Sequence, residues 1–171
     1  AIARVRLVPG SGTITVNGSN GDGIHLQGGS FNNAGNISAA GTVRSGVYSQ
    51  LGGAILNSGS ISGGYGVFAR TGLANFTIRG AGMVTGNSGA GIHADSTAGN
   101  ITLGTAAAPL GAVIGTGNLG IDAVANGAGT INIVTGGNVT STSNTAISAR
   151  QSGAGSGSIQ IVTGTGSTVS S

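Results

Sequence analysis

Only three residues of this chain are acidic, Asp22, Asp95 and Asp122, and two of them sit at a spacing with chemical meaning. Asp95 closes the pentapeptide Gly91-Ile92-His93-Ala94-Asp95, and Asp122 stands in Gly120-Ile121-Asp122-Ala123-Val124, a segment of the same build. Stacked as neighbouring strands, these segments would hold the carboxylates one strand spacing and two residue rises apart, about 8 Å. An inverting glycosidase keeps its acid and base about 6.5–9.5 Å apart. Asp95 and Asp122 are therefore the candidate catalytic pair, of a polysaccharide lyase or glycoside hydrolase. Such sites also need further charged groups around a sugar cleft, and no other acid falls in register with these two.

The histidines and the remaining acid raise metal chemistry without sustaining it. His25 and His93 hold matching positions three segments apart, about 14 Å at the strand spacing, whereas ligand bonds to one zinc ion are about 2 Å long. Asn20-Gly21-Asp22-Gly23 has the outline of a calcium loop but offers one carboxylate where six to eight oxygens are usual. Without Cys there is neither a thiolate site nor a disulfide framework. No metal site and no cofactor are expected.

Binding is the other chemistry on offer. The residues that follow the central Ile or Val of each segment are His25, Tyr48, Phe68, His93, Asp122 and Ser148; two positions on stand Gln27, Gln50, Arg70, Asp95, Val124 and Arg150. If the Ile or Val points inward, both sets point outward as columns on one face. Tyr48 and Phe68, on adjacent turns and flanked by Gln50 and Arg70, form a candidate ligand-binding strip suited to a sugar or an extended peptide. The same side chains would also serve simply to cover the sheet.

What must position these columns is a repeat. Segments of that build begin at Gly23, Gly46, Gly66, Gly91, Gly120 and Ala146, and their central residues are 23, 20, 25, 29 and 26 positions apart. A period of about 20 to 50 residues marks a solenoid. Two further short apolar pieces follow each anchor. In the fourth repeat they are Asn100-Ile101-Thr102-Leu103 and Ala112-Val113-Ile114; the third has Phe76-Thr77-Ile78 and Met83-Val84, the fifth Ile131-Asn132-Ile133 and Val139, the sixth Ile159-Gln160-Ile161 and Val169. Helices are disfavoured, since each helical Gly costs about 1 kcal/mol relative to Ala. Three faces per turn, with Ile over Val about 4.8 Å away along the axis, bury a shared core. Leu26, Ser49, Ala69, Ala94, Ala123 and Ala149 would be the small inward column near a corner. Glycine supplies the bends between faces. The longest interval contains the insertion Gly104 to Gly111, whose apolar content fits a flap over a gap in the core. The expected fold is all-β, a parallel β-helix of about six turns of three short strands over residues 19–171.

Composition agrees with that reading. Glycine fills 37 positions without collagen's every-third spacing, and only 5% of residues are charged. Disorder goes with low hydrophobicity and high net charge, whereas 38% of this chain is hydrophobic and its net charge is +3. The pI near 10.7 comes from six scattered Arg, so nucleic acid is not an expected partner. No apolar run approaches the roughly 18 residues of a membrane-spanning helix. Gly164 to Ser171 stops inside a repeat without a cap, which is the pattern of a piece from a longer chain.

Residues 1–18, AIARVRLVPGSGTITVNG, read as an N-terminal hairpin or capping rung. Their wording resembles the N-terminal hairpin of the ninth protein of the small ribosomal subunit, which implies RNA binding as a minor alternative. Thr13 and Ser19 stand where that family usually has basic residues, and its helices and basic tail are missing. Over residues 19–171 the repeated G-[IV]-x-[AS]-x segments, each followed by G-x-I-x-[IL] and a Gly-Val piece, resemble the passenger region of bacterial autotransporters. That resemblance implies a right-handed β-helix exported to the cell surface or the extracellular space. It also implies an adhesive or structural role, a membrane-embedded barrel encoded in the same parent chain, and a host surface protein or glycan as partner.

Overall fold

The computed structural model describes residues 15–18, 21–153, 155 and 157–171. Apart from Thr15–Gly18, the expected N-terminal hairpin lies outside the described residues, as does Asn20. The chain forms an all-β solenoid. One strand, β1 (Thr15–Gly18), precedes six turns of three. These are β2 (Ile24–Leu26), β3 (Ser30–Asn33) and β4 (Asn36–Ala39); β5 (Ser45–Ser49), β6 (Gly53–Asn57) and β7 (Ser60–Gly63); β8 (Tyr65–Thr71), β9 (Phe76–Arg79) and β10 (Met83–Gly86); β11 (Ile92–Ser96), β12 (Ile101–Leu103) and β13 (Val113–Gly115); β14 (Ile121–Ala125), β15 (Ile131–Thr135) and β16 (Val139–Ser141); and β17 (Ile147–Gln151), β18 (Ile159–Thr163) and β19 (Val169–Ser170).

Every third strand stacks on the last, giving three parallel sheets of seven, six and six strands. The anchors lie in one sheet in the expected register, Ile24 on Val47, Val47 on Val67, Val67 on Ile92, Ile92 on Ile121 and Ile121 on Ile147. Because side chains alternate along a strand, that register sends columns of apolar side chains inward on each sheet, and the third sheet carries two of them, Phe76–Ile101–Ile131 and Ile55–Ile78–Leu103–Ile133. Val47, Val67, Ile92 and Ile121 meet Ile61, Val84 and Val113 from the second sheet and Ile55, Ile78, Ile101 and Ile131 from the third, all essentially sealed from water. Each buried side chain of this size contributes about 1.5–3 kcal/mol. The stacked turns therefore support one another and no turn is stable alone.

Small residues close the corners. Ser49, Ala69, Ala94 and Ala123 form the expected buried column beside the anchors. The hydroxyl of Ser49 donates to the Gly52 carbonyl at 2.8 Å, and two turns on, that of Ser96 donates to the Gly99 carbonyl at 2.7 Å, likewise three residues ahead. At another corner Asn33 Nδ2 donates to Asn57 Oδ1 at 2.8 Å, and Asn57 Nδ2 donates to the Met83 carbonyl at 3.3 Å, so two buried amides tie three turns together. The Gly104 to Gly111 insertion folds back through a tight turn between Thr105 and Ala108 and delivers Leu110 into the core at 2% exposure.

Glycine serves two separate purposes. Among the described residues every positive φ belongs to a glycine, as at the corner pair Gly52 and Gly53 (φ 80° and 124°). The glycine that opens five of the six anchors is not of this kind. A Cβ on Gly91 would lie 2.7 Å from Val113 Cγ1 and 2.8 Å from the Gly120 carbonyl oxygen, so a close approach, not a bend, excludes larger residues there. On the last turn, where no further described strand stacks, Ile159, Ile161 and Val169 are 41–46% exposed.

Candidate functional site

The outward face of the anchor sheet carries the candidate residues, and each is set there by the inward residue before it. Val47 and Val67 are fully buried, which turns Tyr48 and Phe68 outward on adjacent turns as register partners. Their rings stand 5.8 Å apart. His25 lies tilted below Tyr48 at 4.8 Å, and His93 lies nearly parallel to Phe68 at 4.8 Å. Four rings thus form an unbroken ladder over four turns. Gln50 and Arg70 flank it as anticipated: His25 Nε2–H donates to Gln50 Oε1 at 3.2 Å, and the Arg70 guanidinium lies 5.8 Å from the Phe68 ring centre.

At its upper end the ladder changes from aromatic to ionic. His93 Nδ1–H donates to Asp122 Oδ2 at 3.0 Å, and Arg150 Nη2 donates to Asp122 Oδ1 at 3.1 Å. Asp122 is only 6% exposed. Burial works against its charge, but the hydrogen bond and charge of His93, joined by those of Arg150, outweigh it and hold the carboxyl below its ordinary value of 3.8. Asp95 sits two positions along the neighbouring strand, opposite Arg70 and Val124, and accepts from Asn126 Nδ2 at 2.7 Å. The carboxylates of Asp95 and Asp122 are thus placed on adjacent turns as the spacing implied, yet each is engaged with a different partner. Asp122 has both oxygens occupied, by His93 and Arg150, and a lowered pKa. Its hydrogen bond to Nδ1 fixes the orientation of the His93 ring against Phe68.

Three residues that the sequence reading did not connect to this face complete it. Tyr65 meets Phe68 edge-on at 5.0 Å and approaches His93 at 6.1 Å. It enters because β8 begins two residues before its anchor Val67, earlier than the apolar pattern alone suggests. Asp22 and Arg44 close a recess against Tyr48, Tyr65 and Phe68, with a cavity volume of about 180 Å³. Asp22 is positioned by the Ser45 backbone N–H, which donates to Oδ1 at 2.8 Å. Its signal was the Asn20-Gly21-Asp22-Gly23 motif, which resembles an ion loop only superficially.

Among the described residues no three His, Asp or Glu side chains lie close enough together to hold a metal ion. His25 and His93 are bridged by two aromatic rings and share no ligand position. No protein-family model matches the chain, and neither a curated protein nor a solved structure resembles it significantly.

Proposed function

We propose that this chain is a structural and adhesive β-helix segment of a bacterial protein displayed on the cell surface or secreted, in the manner of an autotransporter passenger. The observation that carries the reading is the ladder His25–Tyr48–Phe68–His93, a run of rings at least partly exposed on the outward face of the anchor sheet. Aromatic rings left at a surface with polar neighbours are an affinity-bearing arrangement, since each offers a large rigid contact at low entropy cost. The core is filled by apolar side chains from all three sheets, so the solenoid serves as a rod that presents its flank. The partner is a host surface protein or glycan, and display rests on a membrane-embedded barrel belonging to the same parent chain.

Two tests address the two halves of the reading. The gene should encode an export signal upstream and an amphipathic membrane β-barrel downstream in one reading frame; a frame with neither contradicts surface display. The purified chain should attach saturably to host cells, and a chain with an intact β-sheet spectrum that attaches to none contradicts adhesion.

A further inference from the structure

Resting on the adhesive reading, we propose that the recess beside the ladder seats one uncharged pyranose ring of a longer glycan. Its size argues for a single ring. At about 180 Å³ it is close to the roughly 150 Å³ cavity that accommodates one benzene, and below the roughly 300–1,000 Å³ of pockets that enclose a whole ligand. The remainder of the molecule must then lie outside, along the flank.

Its walls argue for a sugar. Tyr65 stands at 75° to Phe68, so the recess offers a ring face and a ring edge meeting at a corner, with Tyr48 completing the apolar side. A pyranose has a matching division, with C–H groups on one face and hydroxyls around the rim. The polar side supplies both kinds of partner a hydroxyl uses. Asp22, already oriented by Ser45, keeps acceptor capacity on its other oxygen. The Arg44 guanidinium and the hydroxyls of Tyr48 and Tyr65 have no side-chain partner among the described residues, which leaves them free to donate.

The charges argue for a neutral ligand. Asp22 and Arg44 line the same recess and form no ion pair with each other. A cationic or anionic ring would gain from one and lose against the other, whereas hydroxyls gain charge-assisted hydrogen bonds from both. An extended peptide fits less well. β5 and β8 are each hydrogen-bonded to strands on both sides, so no backbone edge is left here for a peptide to join as an added strand.

The test is ligand-observed saturation-transfer NMR on the purified chain, with methyl hexopyranosides of gluco, galacto and manno configuration, the corresponding hexosamine and hexuronate, and a tyrosine-containing peptide as probes. At least one neutral glycoside is expected to receive saturation. Asp22→Asn, which keeps an acceptor for the Ser45 N–H, and Arg44→Gln should each weaken that signal at least about tenfold, the size of a lost charged hydrogen bond, with an unchanged circular dichroism spectrum. Tyr65→Phe, which keeps the ring, should weaken it less than Tyr65→Ala. Tighter binding of the hexosamine, the hexuronate or the peptide than of every neutral glycoside overturns the proposal, and so do variants that bind as well as the wild type. Attachment to cells without any neutral-sugar binding sinks this inference and leaves the adhesive reading standing; absence of both sinks the two together.

Discussion

His93 and Asp122 are direct register partners in β11 and β14, and the imidazole donates to the carboxylate across that one-turn step at 3.0 Å. The contact joins two different kinds of order on one face. Below it the ladder is held by ring-to-ring contacts, above it by an anion gripped between His93 and Arg150. The orientation of His93 against Phe68 therefore depends on a carboxylate one turn away.

Replacing the anion should change how stability responds to acid. The folded pKa of Asp122 lies below its ordinary 3.8, so its contribution is complete above the ordinary carboxylate range and is lost as pH falls through the folded value. The gap in unfolding free energy between wild type and Asp122→Asn should shrink as pH falls below about 4. Denaturant titrations from pH 2.5 to 7 measure it; a gap independent of pH would mean that Asp122 is not held ionised by its partners.

Glycines that look alike in sequence should behave oppositely. Gly91→Ala places a Cβ within 2.8 Å of Val113 and of the Gly120 carbonyl and should cost about 1–3 kcal/mol. At Gly72 an added Cβ meets nothing within 4 Å and φ is not positive. There the same substitution should be neutral or stabilise by up to about 1 kcal/mol, through the unfolded chain. Equal effects in urea unfolding would contradict the close-approach explanation of the anchor glycine.

The Asn33–Asn57 ladder should be more costly to break than its exposure to view in the sequence suggests. Asn57 is 1% exposed, and Asn57→Leu leaves Asn33 Nδ2 with only its longer bond to the Ser60 carbonyl and removes the donor to the Met83 carbonyl. A loss of about 1–3 kcal/mol is expected. Thermal unfolding checks it, and an unchanged midpoint would show that the amides contribute no net stability.

How much of this was legible in the sequence depended on whether a signal repeats. The anchors Ile24 to Ile147 were readable because the same apolar residue returns at each turn and a β register, once chosen, settles which side every neighbour faces. That logic also placed Tyr48, Phe68, Gln50 and Arg70 together. Contacts made by unique residues were not readable. The pairing of His93 with Asp122 needs the register and then a side-chain rotamer, and the reading that set Asp95 beside Asp122 counted carboxylates without asking what else could reach them. Tyr65 was missed because it lies ahead of its anchor, outside the repeating window. Asn33 and Asn57 were passed over because an Asn between short strands reads first as a turn residue.

The ladder is the central claim, and the most direct measurement is cell attachment of Tyr48→Ala/Phe68→Ala compared with wild type, each first shown to keep its β-sheet circular dichroism. Both rings are partly exposed and lie above a core they do not fill, so the double variant should remain folded. Loss of most of the wild-type attachment is the predicted result. Attachment undiminished in a folded double variant would contradict it.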